Sequence, residues 1–294
     1  MSGGTAVAVE AVDDHRSQLG ENPHWDAATG VLQHVDIAVG VLHRVEVRTG
    51  RREQTPLGGE VGFAVPRRGG GLIYGRDRQI VLREVDGSER VVAEVEQGEA
   101  DNRFNDGKAD AAGRLWAGTM SKLRKPSMAA LYRLDPDGEP TVALPGQTLA
   151  NGLGWSPDRA AMYFIDSVAQ RVDVLDFDLA AGALSGRRPL CTIDPADGLP
   201  DGLTVDAEGG VWVALFGGGC VRRYAPSGEL EAEVSLPTTN PTSLAFGGED
   251  MDELYVTTAR HRLTLEQLAA EPLAGALLRL RPGVRGVAPN LYAG

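Results

Sequence analysis

The chain has little cysteine: 294 residues contain Cys191 and Cys220 and no others. A secreted domain stapled by disulfides carries more, and neither thiol has a Cys or His neighbour at metal-ligand spacing. Two scattered thiols fit a reducing cytoplasm and read as small buried apolar residues. Positive charge is also in deficit. Lys and Arg number 29 against 41 Asp and Glu, a formal net charge of −12. Such a surface repels phosphate backbones, which argues against a nucleic-acid partner, yet it can collect cations. Long apolar runs are missing too. None approaches the ~20 residues that cross a bilayer, so no membrane partner is expected. The first ten residues lack the basic region and apolar stretch of a secretory signal, which makes a cytoplasmic location the expectation.

Glycine is abundant, with 38 residues spread along the chain, a sign of many turns. The strongest pattern is internal similarity. Segments opening at Glu21, Gly62, Asn105, Asn151, Asp201 and Thr242 share one plan. A small or polar residue leads a short apolar stretch; a turn rich in Gly, Asp or Pro follows; then a second strand begins on Leu, Val, Trp or Tyr. Asn151-Gly-Leu-Gly-Trp-Ser-Pro-Asp and Asp201-Gly-Leu-Thr-Val-Asp-Ala-Glu-Gly-Gly are examples. Each is a hairpin, and the openings lie roughly 40–50 residues apart, the period of a four-stranded propeller blade. Alternating segments at 41–47, 80–85, 130–134, 171–177 and 221–224 supply third strands. Thr264 and Gln267 form a capping box ahead of one short helix, and 275–280 reads as a strand. A strand at 6–12 pairs with the last blade and removes a free edge. No Pro-rich or charged linker interrupts the series. The expected fold is therefore all-β, a six-bladed β-propeller closed by pairing of N- and C-terminal strands, a single domain over residues 1–294. Two β-sandwiches are the competing architecture, but they need no sixfold similarity. The four Trp residues, 25, 116, 155 and 212, recur within the hairpins and read as blade packing.

In a propeller the first strand of each blade lines the axis, so residues opening the repeats converge at one mouth. Glu21, Asn151 and Asp201 offer carboxylate or amide oxygens there, and Asn105 a further polar group. Oxygen donors with two negative charges suit a hard divalent cation; a tetrahedral zinc site of nitrogen and sulfur does not fit these openings. The competing reading takes Asn151-Gly and Asp201-Gly as ordinary turn dipeptides. Asp26, Asp106, Asp166 and Asp206 read as turn or surface residues, Asp166 with less support than the others. Arg103, just ahead of Asn105, either holds anionic ligands of the cation or a substrate oxygen, or forms a surface ion pair. The histidines at 15, 24, 34, 43 and 261 show no paired spacing; His24 faces the cleft or packs. No Gly-x-Ser-x-Gly elbow supplies a nucleophile.

Together, Leu19-Gly-Glu-Asn-Pro-His-Trp, Arg103-Phe-Asn-Asp-Gly-Lys, Gly113-Arg-Leu-Trp-Ala-Gly-Thr-Met and Pro200-Asp-Gly-Leu-Thr-Val-Asp resemble the SMP-30/gluconolactonase/luciferin-regenerating enzyme family, which includes regucalcin. The resemblance spans nearly the whole chain. It implies one divalent metal ion, calcium first with zinc, magnesium or manganese as alternatives, held by Glu21, Asn151 and Asp201. It implies that Arg103 and Asn105 contact the substrate and that Asp201 acts as catalytic base or acid. The expected reaction is hydrolysis of a small lactone to its hydroxy acid by a monomer or weak homo-oligomer. Hydrolysis of aryl esters or organophosphates, and calcium binding without catalysis, are the alternatives. Two departures stand out. Asn22-Pro-His replaces the more usual Gly-Pro, and Ser121-Lys-Leu-Arg-Lys-Pro-Ser lacks the acidic residue that often follows Gly-Thr-Met. A basic lid in that place favours an acidic or less hydroxylated lactone over a polyol.

Overall fold

The computed structural model describes residues 7–294. Among these residues the strands form six four-stranded antiparallel sheets arranged as a β-propeller. Five sheets take four successive strands each. The sixth takes Pro241–Gly247, Glu253–Thr258 and Leu278–Leu280 from one end of the chain and Val9–Ala11 from the other. Val9 pairs with Leu280 and Ala11 with Leu278, so the expected closure is present. Both closing strands are shorter than the sequence suggests. Residue 6 of the expected strand lies outside the described residues. The C-terminal partner begins at Leu278 because Gly275, at φ +83°, turns the chain against Ser17; a Cβ there would lie 2.3 Å from the Ser17 carbonyl oxygen. The capping box is formed: Thr264 accepts from the Gln267 amide, and the Gln267 side chain accepts from Thr264, at the start of the helix Leu265–Ala270. No helix among the described residues is long and apolar enough to cross a membrane.

The inner strands are Gly20–Asp26, Val61–Pro66, Asn102–Ala109, Ala150–Trp155, Leu199–Val205 and Pro241–Gly247. They are almost wholly buried, whereas outer strands such as Arg51–Pro56 are mostly exposed. The core lies between blades. Phe63, Ile73, Phe104 and Leu115 pack in one such layer, and Trp116, Leu153, Phe164 and Phe177 in another. Trp116 and Trp212 are fully buried, and each donates its indole N–H to a buried carboxylate, Asp110 and Asp206 respectively, at 2.9 Å. Asp206 does hold a turn, accepting from the Glu208 and Gly210 amides, but it is buried rather than on the surface. Asp26 accepts from Ala28 and Thr29 in its turn, as expected. Asp166 ties blade to blade, accepting from the amides of Thr148 and Leu149.

The register of all six inner strands slips near the opening of the repeat. The irregularities fall between Glu21 and His24, Val61 and Phe63, Phe104 and Asp106, Ala150 and Leu153, Pro200 and Leu203, and Pro241 and Ser243. Asn151-Gly and Asp201-Gly therefore sit in bulges inside buried strands and are not turn dipeptides. A bulge leaves a residue out of the ladder and re-aims its side chain. The following glycines let neighbouring bulges approach one another. A Cβ on Gly152 would lie 2.6 Å from the Leu203 nitrogen, and one on Gly202 within 2.3 Å of Ser243 Oγ. Gly202→Ala is expected to cost about 1–3 kcal/mol by overpacking, seen as a lower melting temperature in calorimetry; an unchanged value would mean that the bulges have room to spare.

Candidate active site

Inner strands run the same way along the axis, so the bulges bring Asn105, Asn151 and Asp201 to one mouth together with Glu21. Glu21, Asn151 and Asp201 are each less than a tenth exposed. The Asn151 amide donates from Nδ2 to Asp201 Oδ1 and, at 3.0 Å, to Ser167 Oγ. Those two acceptors fix the amide, and its Oδ1 is buried with no hydrogen-bond partner among the described residues. Glu21 Oε2 accepts from the Asn22 amide at 2.9 Å. The strand carrying Glu21 is braced from the last blade by Thr242, whose hydroxyl donates to the Gly20 carbonyl. Gly62 gives no side chain to the mouth because a Cβ there would lie 2.4 Å from the Phe104 carbonyl oxygen.

Two residues of this cluster escaped the sequence reading. Asp106, expected in a turn or on the surface, is fully buried in its inner strand. Its Oδ1 accepts from Asn22 Nδ2 at 2.9 Å and from the Gly107 amide at 2.7 Å, while Oδ2 has no partner among the described residues. Asn22, at φ 48°, also donates to the Gly107 carbonyl and accepts from the Ala64 amide, tying the first bulge to the second and third blades. The available signal was position: each follows a repeat opening by one residue and so lies in the inner strand.

Arg103 is itself buried, and its ion pair is with the part-exposed Glu60 at the rim. Its Nη1 donates to Asn105 Oδ1 at 2.9 Å and to the Phe104 carbonyl at 2.8 Å, and its Nε lies 3.5 Å from Glu60. Asn105 in turn donates to the Ala150 carbonyl at 3.1 Å. Arg103 and Asn105 are thus one locked pair, anchored to the strand that carries Asn151.

The charges are unbalanced. Burial, with help from Asp106, pushes Asp201 up to about 8 against the opposing pull of Asn151, Arg103 and Arg124. Burial, then Asp201 and Asp106, raise Glu21 well above the usual carboxylate range. The half-buried Lys108 donates to the Leu203 carbonyl at 2.6 Å and is held below its ordinary value by desolvation. Two carboxyls and a free amide oxygen form an all-oxygen donor set of the kind that holds a hard divalent cation. Asn151 Oδ1 is, like Asp106 Oδ2, a buried oxygen with no hydrogen-bond partner among the described residues, and such an oxygen calls for a ligand.

The basic segment after Met120 borders this mouth. Lys122 pairs with Glu60 at 2.9 Å and Lys125 with Asp101 at 3.0 Å. Arg124 is exposed, at φ 52°; desolvation and Arg262 lower its pKa, and Asp201 raises it. His24 does not join the cluster. It lies three residues beyond Glu21 on its strand and, with Asn22, Lys108, Trp155 and Phe246, lines a cavity of about 340 Å³.

Six four-stranded blades around a buried cluster of acids and amides define a β-propeller with a polar axial site. The family described as SMP-30/Gluconolactonase/LRE-like region matches residues 19–260. Regucalcin of Danio rerio is 38% identical over 295 residues, covering 99% of this chain and 100% of that one. A luciferin-regenerating enzyme superposes with a TM-score of 0.91 at 33% identity, covering 98% of this chain and 100% of the other. A calcium-binding protein, regucalcin from Agrobacterium tumefaciens, gives 0.93 at 28% identity over 98% of both chains. The chain belongs to the SMP-30/gluconolactonase/luciferin-regenerating enzyme family.

Proposed function

We propose that this protein is a metal-dependent lactonase that opens a small lactone at the mouth formed by Glu21, Asn151 and Asp201. The observation that carries the reading is the buried, partnerless Asn151 Oδ1 beside two carboxyls of raised pKa. Glu21, Asn151 and Asp201 would hold the divalent ion, calcium by the chemistry of an all-oxygen set. A cation so held supplies Lewis-acid polarisation of a carbonyl oxygen. The Arg103 guanidinium would stabilise charge developing on that oxygen, and Asn105, locked by Arg103, would orient the ring. Asp201, at the edge of the metal site, would take a proton from the attacking water. The water oxygen bonds to the carbonyl carbon, the ring C–O bond breaks, and the proton returns to the departing oxygen from the Asp201 carboxyl or from solvent. Membership in a family named for gluconolactonase and resemblance to a regucalcin described as calcium-binding both support this reading.

The test is acid release from a panel of lactones, phosphotriesters and aryl esters by protein stripped with chelator and then given calcium, magnesium, manganese or zinc. Lactone turnover that needs the metal supports the proposal. Metal binding with no turnover would leave a calcium-binding propeller, and phosphotriester turnover would move the chemistry to the alternative hydrolase. Substrate class follows from the rim. Exposed Arg124 faces the acids of the mouth and no carboxylate occupies residues 121–127, so lactones bearing a carboxylate are favoured. Arg124→Ala is expected to raise KM for such a lactone about fivefold, the scale of an exposed charge pair, and to leave a neutral lactone unchanged. Equal effects on both would remove Arg124 from selection.

A further inference from the structure

We propose that His15, Asp36 and His43 form a second metal site, for zinc or a similar transition ion, that fastens the closing segment of the chain to the first blade. It is independent of the axial site. The histidines look unrelated along the sequence, but the fold gathers them. His34 and His43 are directly opposed on adjacent strands of the first blade, Val31–Asp36 and Val41–Glu46. His15 comes from the segment that leads from the closing strand Val9–Ala11 to that blade. Its ring centroid lies 4.3 Å from that of His43, and the His43 ring lies 4.9 Å from that of His34. One ring nitrogen from each of His15 and His43 and a carboxylate oxygen of Asp36 lie within 4.8 Å of one another.

The second observation is unmet bonding. His43 is 1% exposed, and both its ring nitrogens are buried without a hydrogen-bond partner among the described residues. His15 Nε2 is in the same condition. An imidazole has a donor and an acceptor to satisfy, so a ring with neither satisfied is costly unless an ion or water meets it. Asp36 accepts from the Gln18 amide at 2.7 Å and the Leu19 amide at 3.0 Å, which holds the carboxylate in place and leaves each oxygen a lone pair. The nearby positive charge is already matched: Arg52 pairs with Asp13 and turns its other nitrogen to His34 Nε2 at 3.1 Å. Two nitrogens and one oxygen suit zinc, cobalt or nickel rather than calcium. Ligand atoms around tetrahedral zinc stand ~3.3 Å apart, so the three, now within 4.8 Å of one another, would draw closer on binding.

The experiment uses the full chain, stripped of metal and then given millimolar calcium to fill the oxygen site, titrated with cobalt followed by zinc. One equivalent of calcium-resistant cobalt is expected, with a visible d–d spectrum that zinc abolishes. Zinc at a hundredfold above its Kd should raise the melting temperature by about 5 °C. His15→Asn and His43→Gln should each weaken binding at least about tenfold, whereas Glu21→Gln should leave it unchanged. His15 is half-buried, so His15→Asn remains interpretable even if His43→Gln fails to fold. Absence of calcium-resistant binding in the wild type, or wild-type affinity in folded His15→Asn, overturns the proposal.

Discussion

Asp201→Asn is expected to lower metal-dependent lactone hydrolysis about a thousandfold, the usual scale for losing a positioned general base together with a negative ligand. The change is close to isosteric and keeps a polar group beside Asn151, so the loss is chemical and not a packing defect. Stability separates the two. Asp201 in the metal-free protein has its pKa raised to about 8 by burial, so an ionised carboxylate there works against folding. Replacing it with an amide should leave the metal-free protein at pH 8 as stable as the wild type or more so, by an amount of order a few kcal/mol. An inactive variant with undiminished melting temperature is the expected pair of results. Hydrolysis within tenfold of wild type would end the assignment of Asp201 as base.

Calcium affinity is expected to rise at least about tenfold per pH unit between pH 5 and pH 8, because each ion must displace at least one proton from the buried carboxyls. The same protons set the stability of the metal-free protein. Asp201 in the folded chain holds its proton up to about 8, whereas a solvated aspartate in the unfolded chain gives it up near 3.8. Between those values the unfolded chain binds fewer protons, so folding stability falls as pH rises through the window and flattens above pH 8. Glu21, also raised, adds to the fall. Calcium should abolish this decline. Melting curves in chelator and in calcium at pH 5, 6.5 and 8 read it directly: the calcium-induced rise in melting temperature should grow with pH. A shift of the same size at all three values would mean that these carboxyls do not hold the ion.

Much of the architecture could be read from local pattern. Third strands at 41–47 and 171–177 alternate because one face of each meets the next blade, and they are found at Val41–Glu46 and Arg171–Asp178. The capping box at Thr264 needs only residues three apart. The openings at Glu21, Asn105, Asn151 and Asp201 were legible because the repeat places them in phase, and a propeller turns phase into nearness.

Other features depend on which blade touches which. Asp106 looks like the start of an Asp-Gly turn, and nothing local says that a bulge will bury it against Asn22 from another blade. Arg103 pairs with Glu60 at the rim, but that it is also buried and closed over Asn105 follows from the packing of neighbouring inner strands. His15, His34 and His43 have no common spacing, since one belongs to the closing segment and two to a hairpin. Periodicity in the chain settles strands, blade number and the residues that open each blade, because those follow from hydrophobic alternation and turn chemistry within a few residues. Burial, charge balance and partnering of the polar groups come from the packing of blade against blade, because burial and electrostatic coupling act through distance in space and not along the chain.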